Sequence, residues 1–402
     1  MREVFRRAVA ACRLFVVLVC CAAFVGIVAA RPQGSTGTGY HVVRKLPVGG
    51  DGRWDYLTVD PAARRLYISR STHVMVVDED SGKVIGDIPN TKGVHGIALA
   101  PDLGKGYTSN GGAATVTIFD IKTLKPMSTV KTTGKNPDSI LYDPQTKRVF
   151  TFNGRSANST VIDAATGEVV GTVPLGGKPE TPVLDGKGDI FVNIESKNSL
   201  AEFDAKTLTV KHTYPLAGCK GPSGIGMDTA TRRVFVGCSD SNVMAIVNAD
   251  TGKVIATPPI GQDTDASRFD PGTHLAFASC ENGLLTIIHE DSPDKFSVVA
   301  NVKTQDGART MAMDPKTHHV FVVTADMGPA PPPTKEDPDP DRPLVPGTFA
   351  ILELAPYIPT AFWLRRSIAT TPKRGRAVIR ARPRFGERFL LRLGDSVPFC
   401  PR

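Results

Sequence analysis

The chain has 402 residues, 41% hydrophobic and 22% charged, with a formal net charge of +8. That length suits one large all-β domain with terminal extensions and needs no second core. The positive charge does not mark a nucleic-acid binder, because it sits at the two ends. Past Leu354 eleven Arg and Lys stand against Glu387 and Asp395, the first thirty residues are +3, and residues 31–354 are therefore −4.

Arg2, Arg6, Arg7 and Arg13 precede an apolar run over 14–30 that ends in Val28-Ala29-Ala30. A basic start, an apolar stretch and small residues at its end form an export signal over 1–30, which predicts a periplasmic or secreted protein. The run is long for a signal core, so an uncleaved segment would instead anchor the chain to a membrane. Cys20 and Cys21 have no small residue correctly placed before them, which disfavours a lipoprotein. Residues 31–39 form a linker.

From Trp54 to Asp314 one unit repeats seven times: a short apolar strand, a polar turn, and further apolar strands. The first strand of each unit closes at Asp60, Ala100, Asp143, Asp185, Asp228, Asp270 and Asp314, a spacing of about 40 to 44 residues, the length of a four-stranded propeller blade. Alternation at 66–69, 149–152 and 234–237 is strand-like and rich in β-branched and aromatic residues. Ser81-Gly82-Lys83, Thr166-Gly167-Glu168 and Thr251-Gly252-Lys253 supply the glycines of the hairpins between third and fourth strands.

The seventh unit is interrupted by a Pro-rich insert over 327–346, resumes with a third strand over 347–354, and has no fourth. Residues 40–49 have the character of a fourth strand. The predicted fold is a seven-bladed β-propeller over 40–354, closed by an N-terminal strand completing the last blade, which removes two exposed sheet edges. The insert is read as a stiff lid over the channel mouth, a polyproline surface for a partner, or a tolerated surface loop. The basic tail over 355–402 carries none of the pattern. It is either a non-native extension or a solvated cationic tail for an anionic surface.

The chain resembles the YncE-like, YVTN-repeat seven-bladed propellers, also described as surface-layer or lactonase-like propellers. The resemblance covers residues 40–354 and rests on Val77-Asp78-Glu79-Asp80-Ser81-Gly82-Lys83-Val84, Ile162-Asp163-Ala164-Ala165-Thr166-Gly167-Glu168-Val169 and Val247-Asn248-Ala249-Asp250-Thr251-Gly252-Lys253-Val254. It implies secretion and a binding or scaffold role, and no single chemistry. Trp54-Asp55 opens a first strand, the wrong place for the dipeptide of a WD40 repeat.

Four cysteines follow the export signal. Cys219 precedes the first strand of the fifth blade and Cys238 ends its second, so antiparallel pairing brings both to one face and predicts a disulfide. Cys280 occupies the position of Cys238 in the next blade, as a free thiol or a cross-blade partner, and Cys400 lies in the tail.

Five residues before each first-strand terminus stand Asp55, His95, Asp138, Glu180, Ser223, Asp265 and Arg309. The innermost strands of a propeller line its channel, and one register forms one layer around the axis. Arg70, Asn110, Asn153 and Asn193, at the ends of second strands, are predicted to rim the same face. Three readings of the layer stand together: a water-filled channel; a binding site for a small molecule, a protein partner or a divalent cation such as calcium or manganese, with Asp138, Glu180, Asp265 and His95 as ligands; and a metal-assisted, lactonase-like hydrolase in which Arg309 or His95 stabilises charge. Gly221-Pro222-Ser223-Gly224-Ile225 is no nucleophile elbow, His289-Glu290 no zinc-protease motif, and no haem or phosphate-binding sequence occurs. The sequence reading is therefore an exported, monomeric, non-catalytic binding or scaffold propeller, with hydrolysis as the alternative.

Overall fold

The structure, a computed structural model, describes residues 39–335, 340 and 342–357. The export signal, nearly all of the linker, the tail from residue 358 and part of the Pro-rich insert lie outside the described residues, as do the cleavage, membrane-anchor and tail readings placed on them.

Seven four-stranded antiparallel sheets follow one another around a ring. Their innermost strands are Leu57–Asp60, Val94–Ala100, Pro137–Asp143, Pro179–Leu184, Pro222–Asp228, Thr264–Asp270 and Met311–Asp314 in blades 1 to 7. Blade 7 takes His41–Pro47 as its outermost strand, hydrogen-bonded to Ala350–Ala355. Burial falls from the axis outwards. The second strand of blade 5, Arg233–Cys238, is wholly buried, whereas the outermost strand of blade 2, Pro126–Lys131, is exposed at nearly every residue.

The core lies between the blades. Seven apolar clusters fill the seven interfaces; between blades 3 and 4, for example, Phe150 and Phe152 meet Ile190, Val192 and Phe203. At roughly 25 cal/mol per Å² these interfaces carry the stability, which frees the channel-facing residues from packing duty.

The repeated aspartate that closes the inner strand has a local cause. Asp60, Asp143, Asp228, Asp270 and Asp314 each accept the backbone N–H two residues on, which makes the turn into the second strand. Just before that strand, a basic residue in the left-handed region reaches back to the preceding blade. Arg232 (φ 59°) meets Asp185 at 2.9 Å, His318 (φ 62°) meets Asp270 at 2.7 Å, and Arg64 (φ 55°) pairs with Asp314. One repeated residue thus turns the chain and clasps neighbouring blades.

Cys219 and Cys238 form a disulfide with Cα atoms 5.4 Å apart, while Cys280 is a buried free thiol. The base of the insert is zipped by Gly328 N–H to Pro343 O at 2.7 Å and Val345 N–H to Asp326 O at 2.8 Å. Met327 and Arg342 border a side cavity between blades 6 and 7, and no described insert residue lines the channel mouth.

Candidate binding site at the channel mouth

Each inner strand of blades 2 to 6 carries a bulge near its start. Pairing with the second strand skips from Pro137 to Ile140, from Pro179 to Pro182, from Pro222 to Ile225, from Val94 to Ile97 and from Thr264 to Ala266. The skipped residues include Asp138, Glu180, Ser223, His95 and Asp265. A bulge releases a residue from the ladder and re-aims its side chain, here toward the axis. Proline opens three of these strands, at a first position where no ladder N–H is needed.

Side chains of the second strands hold the backbone of the register residues in place. Ser109 accepts from Gly96 N–H at 2.8 Å and donates to the carbonyl of Asp138, Ser279 donates to that of Arg309, and Ser69 accepts from Asp55 N–H at 3.1 Å. In blade 4 this role falls to Asn193, whose amide donates to the carbonyls of Ser223 at 2.8 Å and Gly224 at 3.1 Å.

All seven register residues, Asp55, His95, Asp138, Glu180, Ser223, Asp265 and Arg309, line one cavity of about 360 Å³ with Tyr56, Lys178, Glu195, Asp263 and Glu281. Three groups divide it. Asp55 Oδ2 lies 2.6 Å from His95 Nδ1, and Asp138 Oδ1 is 3.8 Å from the same nitrogen. Lys178 Nζ is 2.8 Å from Glu180 Oε1 and also pairs with Glu195. Arg309 lies 3.2 Å from Asp265 and 3.3 Å from Glu281, and Ser223 donates to Asp265 Oδ1 at 2.8 Å.

Seven carboxylates therefore face three cations, and the electrostatics record the imbalance. Burial, with the charge of Asp55, pushes the Asp138 carboxyl up to about 7. Burial and Asp138 together push Glu180 up to about 8. Burial also raises Asp265, against the opposing pull of Arg309. Burial alone would lower His95, but its hydrogen bond to Asp55 and the charges of Asp138, Asp55 and Glu180 outweigh this and hold it up at about 9. At neutral pH His95 is an imidazolium.

Four expected rim residues belong elsewhere. The buried Arg70 guanidinium is held by the carbonyls of Gly49 at 2.9 Å, Gly50 at 3.1 Å and Gly52 at 2.8 Å, and lies 3.7 Å above the Phe349 ring. Asn110 bonds Thr117 at 2.9 Å and Asn153 bonds Thr160 at 2.9 Å, both inside their own blades. Asn110 and Asn153 pair opposite the strand start, at Val94 and Pro137, outside the bulge, so their side chains turn toward the third strands, whereas Arg70 turns to the chain ahead of blade 1. Asn193 was matched to them one residue out of register: Ile194 is the residue paired with Pro179, as Asn153 is with Pro137.

The expected metal set divides: His95 and Asp138 stand together with Asp55, apart from Glu180 and Asp265. Glu180 is held by Lys178 and Asp265 by Arg309 and Ser223. The donors that lie within 4.8 Å of one another are those of Asp55, His95 and Asp138. That His95 proton, shared with Asp55, makes the trio a charged hydrogen-bonded cluster first.

Neither a protein-family model nor a curated protein sequence matches the chain. Solved structures do. A chain of the Kuenenia stuttgartiensis hydrazine synthase superposes with TM-score 0.60 and 17% identity over 72% of this chain and 95% of that one. A chain of a mitotic checkpoint complex gives 0.65 and 13% over 82% and 96%. U3-55K gives 0.61 and 10% over 71% and 90%. At these identities the likeness is one of fold, a seven-bladed propeller.

Proposed function

We propose that the chain is an exported, YncE-like propeller that performs no reaction and holds a cationic ligand, or a basic segment of a partner protein, at the acidic mouth of its channel. The observation that carries this is the convergence of one bulge-presented side chain after another on a cavity with seven carboxylates and three cations. Two of those carboxylates are pushed up to about 7 and about 8, so an arriving positive charge gains what the protein's own side chains do not supply. The leader sequence and the Cys219–Cys238 disulfide both suit an oxidising compartment, periplasmic or extracellular.

The hydrolase reading is weaker. It needs an ion to activate water, and the compact donor set of Asp55, His95 and Asp138 includes an imidazolium whose Nδ1 is already hydrogen-bonded to Asp55. Calorimetric titration with spermidine and with an Arg/Lys-rich peptide, at low and high salt, tests the proposal. Salt-sensitive binding that weakens at least tenfold in the Asp138→Asn/Glu180→Gln double variant supports it. Absence of binding by either cation, or binding unchanged in the double variant, refutes it. Elemental analysis of the same protein, with melting in chelator, reports directly on a divalent ion at Asp55, His95 and Asp138.

A further inference from the structure

Below the acidic mouth the channel changes character. A second cavity of about 410 Å³ is lined by Leu57, Ile97, Leu141, Val183, Met227 and Phe269, with Tyr56, Thr58, Ser139, Thr181 and Arg268 as its polar side chains. Tyr56 borders both cavities and divides the channel. Val183, Met227 and Phe269 stand next to the last residue of their inner strands, so the lower cavity faces the end of the ring opposite the mouth.

Register isolates the charge. Two residues before each strand-closing position stand Thr58, Ala98, Leu141, Val183, Gly226, Arg268 and Ala312. Six of the seven are uncharged, and Thr58 donates to the Ile97 carbonyl at 2.7 Å. Arg268 alone brings a guanidinium into an apolar ring. Gly226 makes room beside it, since a Cβ there would lie 2.8 Å from the Arg268 carbonyl carbon.

No carboxylate within the described residues pairs with Arg268. Its Nη1 bonds the Ser267 carbonyl at 2.8 Å and, distantly, that of Ile225 at 3.5 Å, which leaves the remaining donors of the fork without a protein acceptor. The nearest candidate in sequence, Asp270, is engaged by His318 at 2.7 Å and Thr273 at 2.7 Å. The Tyr56 hydroxyl makes no hydrogen bond to any described residue, so a second donor stands at the same cavity.

We propose that this lower cavity is a binding site for an apolar carboxylate, whose head group takes the Arg268 fork and the Tyr56 hydroxyl while its hydrocarbon body lies against Leu141, Val183, Met227 and Phe269. Planar guanidinium recognises carboxylate with two parallel bonds, and a low-dielectric wall strengthens both. The space equals about fourteen waters at ~30 Å³ each, which fits a saturated acid of about ten carbons. The site lies below the cation-binding mouth and shares Tyr56 with it, the hydroxyl standing within the field of Asp138, Glu180, Asp55 and Asp265.

The test compares decanoate, decanol and decylamine on the full chain by calorimetry and by shift of the melting temperature. Decanoate is expected to bind at least tenfold more tightly than either analogue, and Arg268→Gln to remove that preference. Arg268→Lys keeps a charge without the fork and is expected to retain part of it. Equal binding of decanol, no binding of decanoate, or unchanged affinity in Arg268→Gln overturns the proposal. The ranking of the three ligands on the unaltered protein decides the matter even if Arg268→Gln does not fold.

Discussion

Replacing Asp138 by asparagine is expected to stabilise the protein in alkali and to leave it nearly unchanged in acid. The Asp138 side chain is only 15% exposed, and its carboxyl is pushed from 3.8 up to about 7, first by burial and then by Asp55. The sign follows from proton binding. Below about pH 4 the carboxyl is neutral in both folded and unfolded chains and carries no penalty. As pH rises from about 4 to 7 the unfolded chain gives up the proton while the folded one keeps it, so folding loses ground, and above 7 the loss is complete. Three pKa units correspond to about 4 kcal/mol at about 1.4 kcal/mol each. That shift is already net of the attraction to the His95 imidazolium 3.8 Å away, so asparagine gains up to about 4 kcal/mol at pH 8. With about 2.1 cal/mol/K per residue over a propeller of roughly 320 residues, that is a rise of up to about 6 °C in melting temperature. The measurement is a set of thermal melts of both proteins at pH 4, 6 and 8. A difference that does not change with pH, or a variant less stable at pH 8, refutes the account of Asp138 as a desolvated, under-paired charge.

Two further outcomes concern the frame around the site. Reducing the Cys219–Cys238 disulfide, or replacing both cysteines by alanine, is expected to remove about 3 kcal/mol, the chain-entropy value for a loop of this order, and to lower the melting temperature by about 4 to 5 °C; intact mass under alkylation, with and without reductant, verifies the bond. Arg70→Met is expected to cost on the order of 3 kcal/mol, because three glycine carbonyls lose their donor and Phe349 its cation, while spermidine and decanoate affinities stay within twofold; a selective loss of either ligand would return Arg70 to the site.

The ring was legible because its signal is periodic. Six of the seven inner strands end at the residue that the spacing picks, and blade 4 ends one earlier, at Leu184. The mouth was legible for the same reason: residues at one register reach one layer, and all seven line the cavity. The second-strand residues were misread because simple alternation holds only where the ladder is regular. The bulge beside Asp138 shifts the register between Pro137 and Ile140, so Asn153 does not share the orientation of Asp138. The shorter turn of blade 4 displaced the alignment by one and made Asn193 look like Asn153, although its role is that of Ser109. Lys178 carried a usable signal, two residues before Glu180, and Glu195 and Glu281 each follow the last residue of a second strand. Arg268 left the faintest trace, one charge in a seven-residue register, and its meaning depends on the cavity around it.

The two halves of the channel are made by the same seven strands, yet they solve opposite problems. A channel that only solvates its axis has no need of bulges that aim carboxylates inward, nor of second-strand serines that fix those bulges. It also leaves its acids near their ordinary range, since water screens them. Here Asp138 and Glu180 are raised although Lys178 and His95 stand beside them, which means that burial exceeds the pairing supplied. The inter-blade cores, the Arg232–Asp185 type of clasp and the disulfide make this tolerable, because none of them depends on the channel. Below Tyr56 the sign reverses: apolar walls surround one guanidinium with no carboxylate partner. A negative ligand at the lower end and a positive one at the mouth each answer a deficit in the free protein, and Tyr56, which feels both the mouth carboxylates and Arg268, stands between them.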